Sequence, residues 1–276
     1  MSPVCNRIEP GDDIYPIGLG DLEDPPHLYL VGGLEERPGV AVVGTRRCTR
    51  YGITLAEGFG HAIAEAGWTV VSGLARGVDT AAHRGCLVAG GHAVAVLGSG
   101  IDVCYPRENQ PVYDEILRTG GAILSEYQPG TPPDRWRFPA RNRIIAAVSA
   151  AVVVVEASRT GGALITARLA AELGRPVFVV PGDVDRSASE GCNRLIRDGA
   201  HPVFGAADLI EELGLILGPP RPIAASGPVD GVPATGIPLE DLPELWGITM
   251  SQTLVKVGKL ELEGRIKRAG DRILPS

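Results

Sequence analysis

Lysine is nearly missing from this chain: Lys256, Lys259 and Lys267 are its only three, all near the C-terminus. Every basic group of the central region is therefore arginine, a planar donor suited to bidentate phosphate contacts and to stacking on bases. A GC-rich genome explains the same bias, and more simply. Cysteine occurs five times, at Cys5, Cys48, Cys86, Cys104 and Cys192. The number is odd, the spacings are wide and no C-x-x-C pair is present, which excludes a sequence-legible zinc or redox framework and reads as reduced core or loop thiols. No stretch approaches the ~18 apolar residues of a membrane span, and no basic segment leads into an apolar one at the N-terminus. The expectation is a cytosolic protein with no membrane association. His27, His61, His83, His92 and His201 lack ligand spacing and no Ser-His-Asp pattern is legible, so neither a metal nor a hydrolytic triad is expected. There is no Walker A loop and no G-x-G-x-x-G, including at Gly98-Ser99-Gly100, which removes the main support for a nucleotide cofactor; none is expected.

What remains is an ordinary globular composition: 276 residues, 44% hydrophobic and 21% charged. The net charge of -7 argues against nucleic acid only until its distribution is considered. Residues 1–39 hold two arginines against eight acids, a net of -6, so the rest of the chain is nearly neutral.

Short β-branched runs at Val40 to Val43, Thr69 to Val71, Ala93 to Leu97, Ala122 to Leu124, Val152 to Val155 and Val177 to Val180 read as buried parallel strands. Between them Ala56, Phe59, Ile63 and Ala66 keep helical spacing, as do Leu164, Ala167 and Ala171. Alternating strand and helix over residues 15–213 predicts an α/β, Rossmann-like, doubly wound and mostly parallel sheet. Residues 1–14 read as a loose tail. Residues 214–237, rich in Pro, Gly and Ala, read as a linker, and 238–276 as a small winged-helix-like domain of two or three short helices and a hairpin.

In an open parallel sheet, ligands gather beyond the C-terminal strand ends, where helix N-termini present free N–H groups to anions. The informative residues fall there. Gly44-Thr45-Arg46-Arg47 follows the first run; a tight turn and a phosphate contact explain it equally well. Ser72-Gly73 through Asp79 follows the second, with Asp79 as a plausible N-cap. Arg135-Trp136-Arg137-Phe138-Pro139-Ala140-Arg141-Asn142-Arg143 interleaves four arginines with two aromatics ahead of an apolar helix placed at Ile144 to Ala151, a composition that suits single-stranded nucleic acid. Glu156 through Thr166 places Gly161 and Gly162 at a helix start, an anion-site candidate.

In order, these segments resemble the DNA-processing protein A family (DprA/Smf). Its pattern stands here as Val43 to Arg46, Ser72 to His83, Ala95 to Pro106, Ser125 to Tyr127, Phe138 to Ile145 and Glu156 to Ala167, followed by Val180-Pro181-Gly182 and Gly191 to Ile196. The resemblance implies a single-stranded DNA-binding recombination mediator, a homodimer that helps load the RecA recombinase in natural transformation or repair, and not an enzyme. It implies DNA contacts from Gly44, Thr45, Arg46, Arg47, Gly73, Phe138, Arg141, Asn142, Arg143, Gly161, Gly162 and Thr166. Two departures are visible. The sequence before Tyr15 is too short for the helical N-terminal domain many members carry, and Gly161 replaces the family's usual serine.

The rival reading is a phosphoribohydrolase-like enzyme of related fold. Its P-G-G-x-G-T fingerprint is incomplete at Thr160 to Thr166, which leaves Glu156 and Glu172 as the available acids. A duplex-DNA regulator working through residues 238–276 is disfavoured, because six basic residues there face six acids.

Overall fold

A computed structural model of the chain describes residues 5–219, 232–233, 236–262 and 266–275. The chain divides into two compact units, Met1–Pro220 and Arg221–Ser276.

The first unit runs β1 (Asn6–Ile8), β2 (Leu28–Gly32), β3 (Gly39–Val43), α1 (Arg50–Glu65), β4 (Thr69–Ser72), α2 (Val78–Val88) and β5 (Ala93–Leu97). It continues through α3 (Gln110–Arg118), β6 (Ala122–Ser125), α4 (Arg137–Ala147), β7 (Ala151–Val154) and α5 (Gly162–Glu172). It ends with β8 (Val177–Val179), α6 (Ser187–Arg197), β9 (His201–Pro202) and α7 (Ala206–Leu217). The nine strands form one sheet in the order β1-β2-β6-β5-β4-β3-β7-β8-β9. From β6 to β9 all neighbours are parallel, while β2 runs antiparallel to β6 and β1 antiparallel to β2.

Successive side chains of a strand point to opposite faces, and here both faces are dry. Val40, Val42, Val70 and Val153 pack with Phe59, Ile63, Ala82 and Leu213 on one side, beneath α1, α2, α3 and α7. Ala41, Val43, Val71 and Val154 pack with Ile144, Ile145, Ala167 and Cys192 on the other, beneath α4, α5 and α6. That two-sided burial explains the continuous apolar runs, each aliphatic side chain contributing about 1.5–3 kcal/mol. The chain first builds outward from β3 through β4 and β5 to β6, then crosses back to lay β7 beside β3. The winding reverses between β3 and β7, and at such a point the C-terminal strand ends diverge into a crevice.

Four boundaries differ from the sequence expectation. Residues 6–8 are an edge strand and not a loose tail: Ile8 is buried and opposes Leu28. Three residues are too few to show a period. The helix expected over Ile144 to Ala151 is instead Arg137–Ala147, because Pro139 falls in its first turn, where the missing N–H costs nothing; Ala151 already belongs to β7. The linker expected from residue 214 begins inside α7, whose stripe of Leu209, Leu213 and Leu217 stays on the core through Leu217. Much of 214–237 lies outside the described residues, but Val232 is already buried among the second unit's core residues.

That second unit contains β10 (Ile237–Pro238), α8 (Leu242–Trp246), α9 (Met250–Leu262), β11 (Ile266–Ala269) and β12 (Arg272–Pro275). The strands form a small sheet in the order β10-β12-β11 over Leu242, Val257 and Leu260. Residues 263–265, between α9 and β11, lie outside the described residues.

Candidate nucleic-acid interface

Gly44 ends β3 because nothing larger fits: a Cβ there would lie 2.5 Å from Val78 Cγ2 of α2. The Thr45 backbone N–H donates to the Glu156 carbonyl (2.7 Å), joining the β3 and β7 loops across the reversal point. The Glu156 carboxylate is likewise committed. It accepts from Thr49 N (2.8 Å) and Thr49 Oγ1 (2.6 Å), while Thr49 caps α1 by accepting from Gly52 N. A buried anion at a helix N-terminus is favourably placed. Glu172 lies at the far end of α5, about 15 Å from its start, so the two carboxylates open to a hydrolase do not converge.

Arg141 and Asn142 face inward. Arg141 is 4% exposed; its Nη1 donates to Gly73 O (2.8 Å) and to Val96 O, and its Nε to Asn142 Oδ1 (3.1 Å). Asn142 Nδ2 reaches Gly162 O (3.3 Å), tying α4 to the start of α5. Gly73 is glycine because any Cβ would sit 2.2 Å from the Arg141 guanidinium. Asp79 is not an N-cap, a place that Gly77 takes; from the first turn of α2 its Oδ2 accepts from Gly73 N (3.1 Å) and Ala75 N (3.4 Å). Burial lowers Arg141 to about 10, an effect Asp79 opposes and Arg46 reinforces, and burial raises Asp79 despite the pull of Arg141. The two shifts agree that desolvation outweighs the pair's attraction. His83, fully buried with neither ring nitrogen hydrogen-bonded, is lowered to about 3 by burial and by Arg141.

The outward surface is made by other residues. The exposed Arg46 places its guanidinium 4.9 Å from the centroid of the Phe138 ring, and Phe138 packs on Tyr105 at 5.6 Å. Arg46, Gly73, Tyr105, Phe138 and Arg141 line a cavity of about 60 Å³, so the buried arginine backs the pocket that the exposed one rims. Arg46, Arg47, Arg50, Arg107 and Arg135 are exposed and have no carboxylate within 4.0 Å among the described residues. Arg76 differs, being held by both oxygens of Glu108 at 2.6 Å.

At α5, Gly161 is the N-cap and supplies no capping side chain, and a Cβ on Gly162 would meet nothing within 4 Å. Gly161 N donates to Ser158 O (3.0 Å) and Leu164 N to Gly161 O (3.1 Å), so the N–H groups of Gly162 and Ala163 are the ones an approaching anion would meet. Thr166 is buried in the same helix at 2% exposure. Arg143 is half-buried and pairs with Glu126 at 2.5 Å.

The twelve candidates thus separate. Arg46, Arg47, Phe138, Gly161 and Gly162 reach one accessible rim, with Gly44 and Thr45 shaping its turn. Gly73, Arg141, Asn142 and Thr166 lie beneath it, and Arg143 is neutralised. The sequence missed Tyr105, which follows a different strand from Phe138 and meets it only in three dimensions. Among the described residues no group of three or more His, Cys, Asp or Glu is placed to hold a metal ion, and no helix is long and apolar enough to cross a membrane.

Comparison with known proteins gives a consistent picture. The family model described as DNA recombination-mediator protein A matches residues 6–214. The chain is 43% identical to Protein Smf of Synechocystis over 216 residues, 76% of this chain and 54% of that one. It is 43% identical to the DNA processing protein DprA of Streptococcus pneumoniae over 204 residues, 73% of this chain and 72% of that one. It therefore spans about half the length of the first relative and most of the second. The crystal structure of the pneumococcal protein aligns with a TM-score of 0.71 at 41% identity, covering 77% of this chain and 75% of that one. The DNA processing protein A of Helicobacter pylori, whose structure concerns its single-stranded DNA binding mode, aligns with a TM-score of 0.69 at 33% identity, covering 77% and 96%. Matched through the whole of its parallel sheet, the chain belongs to the DNA recombination-mediator protein A family.

Proposed function

We propose that this chain is a non-enzymatic recombination mediator that binds single-stranded DNA along the C-terminal rim of its large sheet. The observation that carries the reading is the Arg46–Phe138–Tyr105 stack flanked by exposed arginines that have no acid partner among the described residues. A sequence-tolerant single-strand site needs cations for phosphates and π-faces for bases. The open N-terminus of α5 lies on the same side of the sheet and supplies backbone donors. The names of the relatives point the same way.

On this reading the protein works in the cytosol as a homodimer, protects incoming or damaged strands and passes them to the RecA recombinase. The second unit, two helices followed by a hairpin, serves as a winged-helix module for protein contacts. The decisive experiment compares binding of labelled oligo-dT, oligo-rU and duplex DNA across a salt series. Oligo-dT should bind tightest, with affinity falling about 0.7 logarithmic units per phosphate contact for each tenfold rise in salt. Preference for duplex, or indifference to salt, rules the site out.

A further inference from the structure

Trp136 lies just before α4 and is 59% exposed, yet it is held in place. Its Nε1 donates to Asp134 Oδ2 at 3.0 Å, and its ring meets Tyr127 edge to face at 6.1 Å and 88°. The Arg137 guanidinium occupies the corner between the two rings, 5.1 Å from the Trp136 centroid and 5.0 Å from that of Tyr127, and is itself tied to the Pro132 carbonyl. Core packing gives no reason for this arrangement, because most of the indole remains in solvent. A rigid aromatic face that has already lost its rotamer freedom is what a stacking partner exploits at least entropic cost.

Position strengthens the point. Arg46 follows β3, Tyr105 follows β5 and Tyr127 follows β6. Strands about 4.8 Å apart place β3 and β6 about 14 Å from each other, room for roughly four bases at 3.4 Å each. The aromatic station of Phe138 and Tyr105 stands at the end of β5, where a Cβ on Gly98 would lie 2.8 Å from the Phe138 ring, and leaves the β6 end of that span uncovered. Arg135, exposed and without an acid partner among the described residues, adds charge at the far end.

We propose that Trp136, braced by Arg137 and Tyr127, is a second base-stacking station on which a single strand continues after leaving the Arg46–Phe138 station. The inference rests on the single-strand reading above. It assigns the ligand as the flat face of an unpaired base, without preference among bases.

The test uses the full chain and oligo-dT at low salt. The parent's tryptophan emission should be quenched on binding, since Trp68 is buried and Trp246 belongs to the second unit. Trp136→Ala and Trp136→Leu should both weaken binding roughly 5- to 150-fold, Leu supplying bulk without a π-face. Trp136→Phe should restore most of the affinity while abolishing the quench. A parent that binds, with Trp136→Ala matching it in affinity, overturns the second station and leaves the single-strand reading standing. A parent that fails to bind oligo-dT overturns both.

Discussion

The two edges of the large sheet differ in chemistry and in size, and in opposite senses. At the N-terminal edge a cavity of about 760 Å³ is lined by residues that include Asp13, Tyr15, Leu34, Glu35, Glu36 and Val148. Its arginines are spent, Arg37 on Glu35 at 2.6 Å and Arg175 on Asp21. Its histidine is satisfied too, His92 bonding Thr69 Oγ1 and Gly33 O. Helix C-termini, the negative ends, point this way. At the C-terminal edge the cavity beside Arg46 is only about 60 Å³ and two of its lining arginines are engaged, Arg76 by Glu108 and Arg141 by buried carbonyls. Arg46 at its rim and the nearby Arg47 and Arg107, however, have no carboxylate within 4.0 Å among the described residues, and helix N-termini converge there. For a polyanionic partner, the sign of the potential and the number of uncommitted donors outrank volume.

The contrast can be tested, starting with the residue that supports the C-terminal rim from below. Arg141→Ala strands Asp79 without its counter-charge and leaves two buried carbonyls unpaired. About 3–5 kcal/mol of stability should be lost, seen as a collapse of the thermal midpoint; a near-native melt would mean that Arg141 is not part of the buried framework. His83 comes next. Its folded value of about 3 lies below the unfolded value of 6.5, so between these limits the unfolded chain holds more protons and stability falls as pH falls. The slope is about 1.4 kcal/mol per pH unit from this group alone. Stability of His83→Leu, measured by denaturant titration at pH 7 and pH 4.5, should lack that component; identical pH slopes in parent and variant would place the histidine in water.

A smaller effect belongs to the rim itself. Arg46→Ala should reduce the salt slope of oligo-dT binding by about 0.7 with stability changed by no more than about 0.5 kcal/mol. If the slope stays at the parent's value, Arg46 does not meet a phosphate. The smallest effect is expected at the opposite edge, where the double change Glu35→Gln and Glu36→Gln should leave oligo-dT affinity within about threefold of the parent at physiological salt, where charges beyond about 8 Å are largely screened. A large gain would show that the acidic edge repels the strand and that the edges act together.

The sequence made the central strands readable because burial on both faces forces uninterrupted β-branched runs, as at Val40 to Val43. The glycine-arginine turns after them were readable for the same reason, since a ligand-bearing edge follows from parallel winding. Which arginine turns inward was not. Arg141 and Arg143 are two apart on a helix whose start is disguised by Pro139 and the surrounding aromatics. Only the helical phase that puts Arg141 with Ile144 and Ile145 assigns one to the core and the other to Glu126. β1 stayed hidden because its pairing with β2 is antiparallel and only Ile8 of its three residues is buried. Tyr105 and Tyr127 fall inside segments that carry the family resemblance, but their pairing with Phe138 and Trp136 was not legible, because each partner comes from another segment.

Glu156 has a wider consequence. In doubly wound proteins that hold a nucleotide, a phosphate seats itself on the first helix at the point where the strand order reverses. Here the chain supplies its own anion to that helix, through the Glu156 carboxylate on Thr49. The berth is filled from within before any ligand arrives. A visitor must therefore lie across the top of the sheet instead of sinking into it, touching many shallow points and none deeply. A compact metabolite would gain little from such a landing place. A long flexible polymer, which adds up weak contacts along its length, gains a great deal.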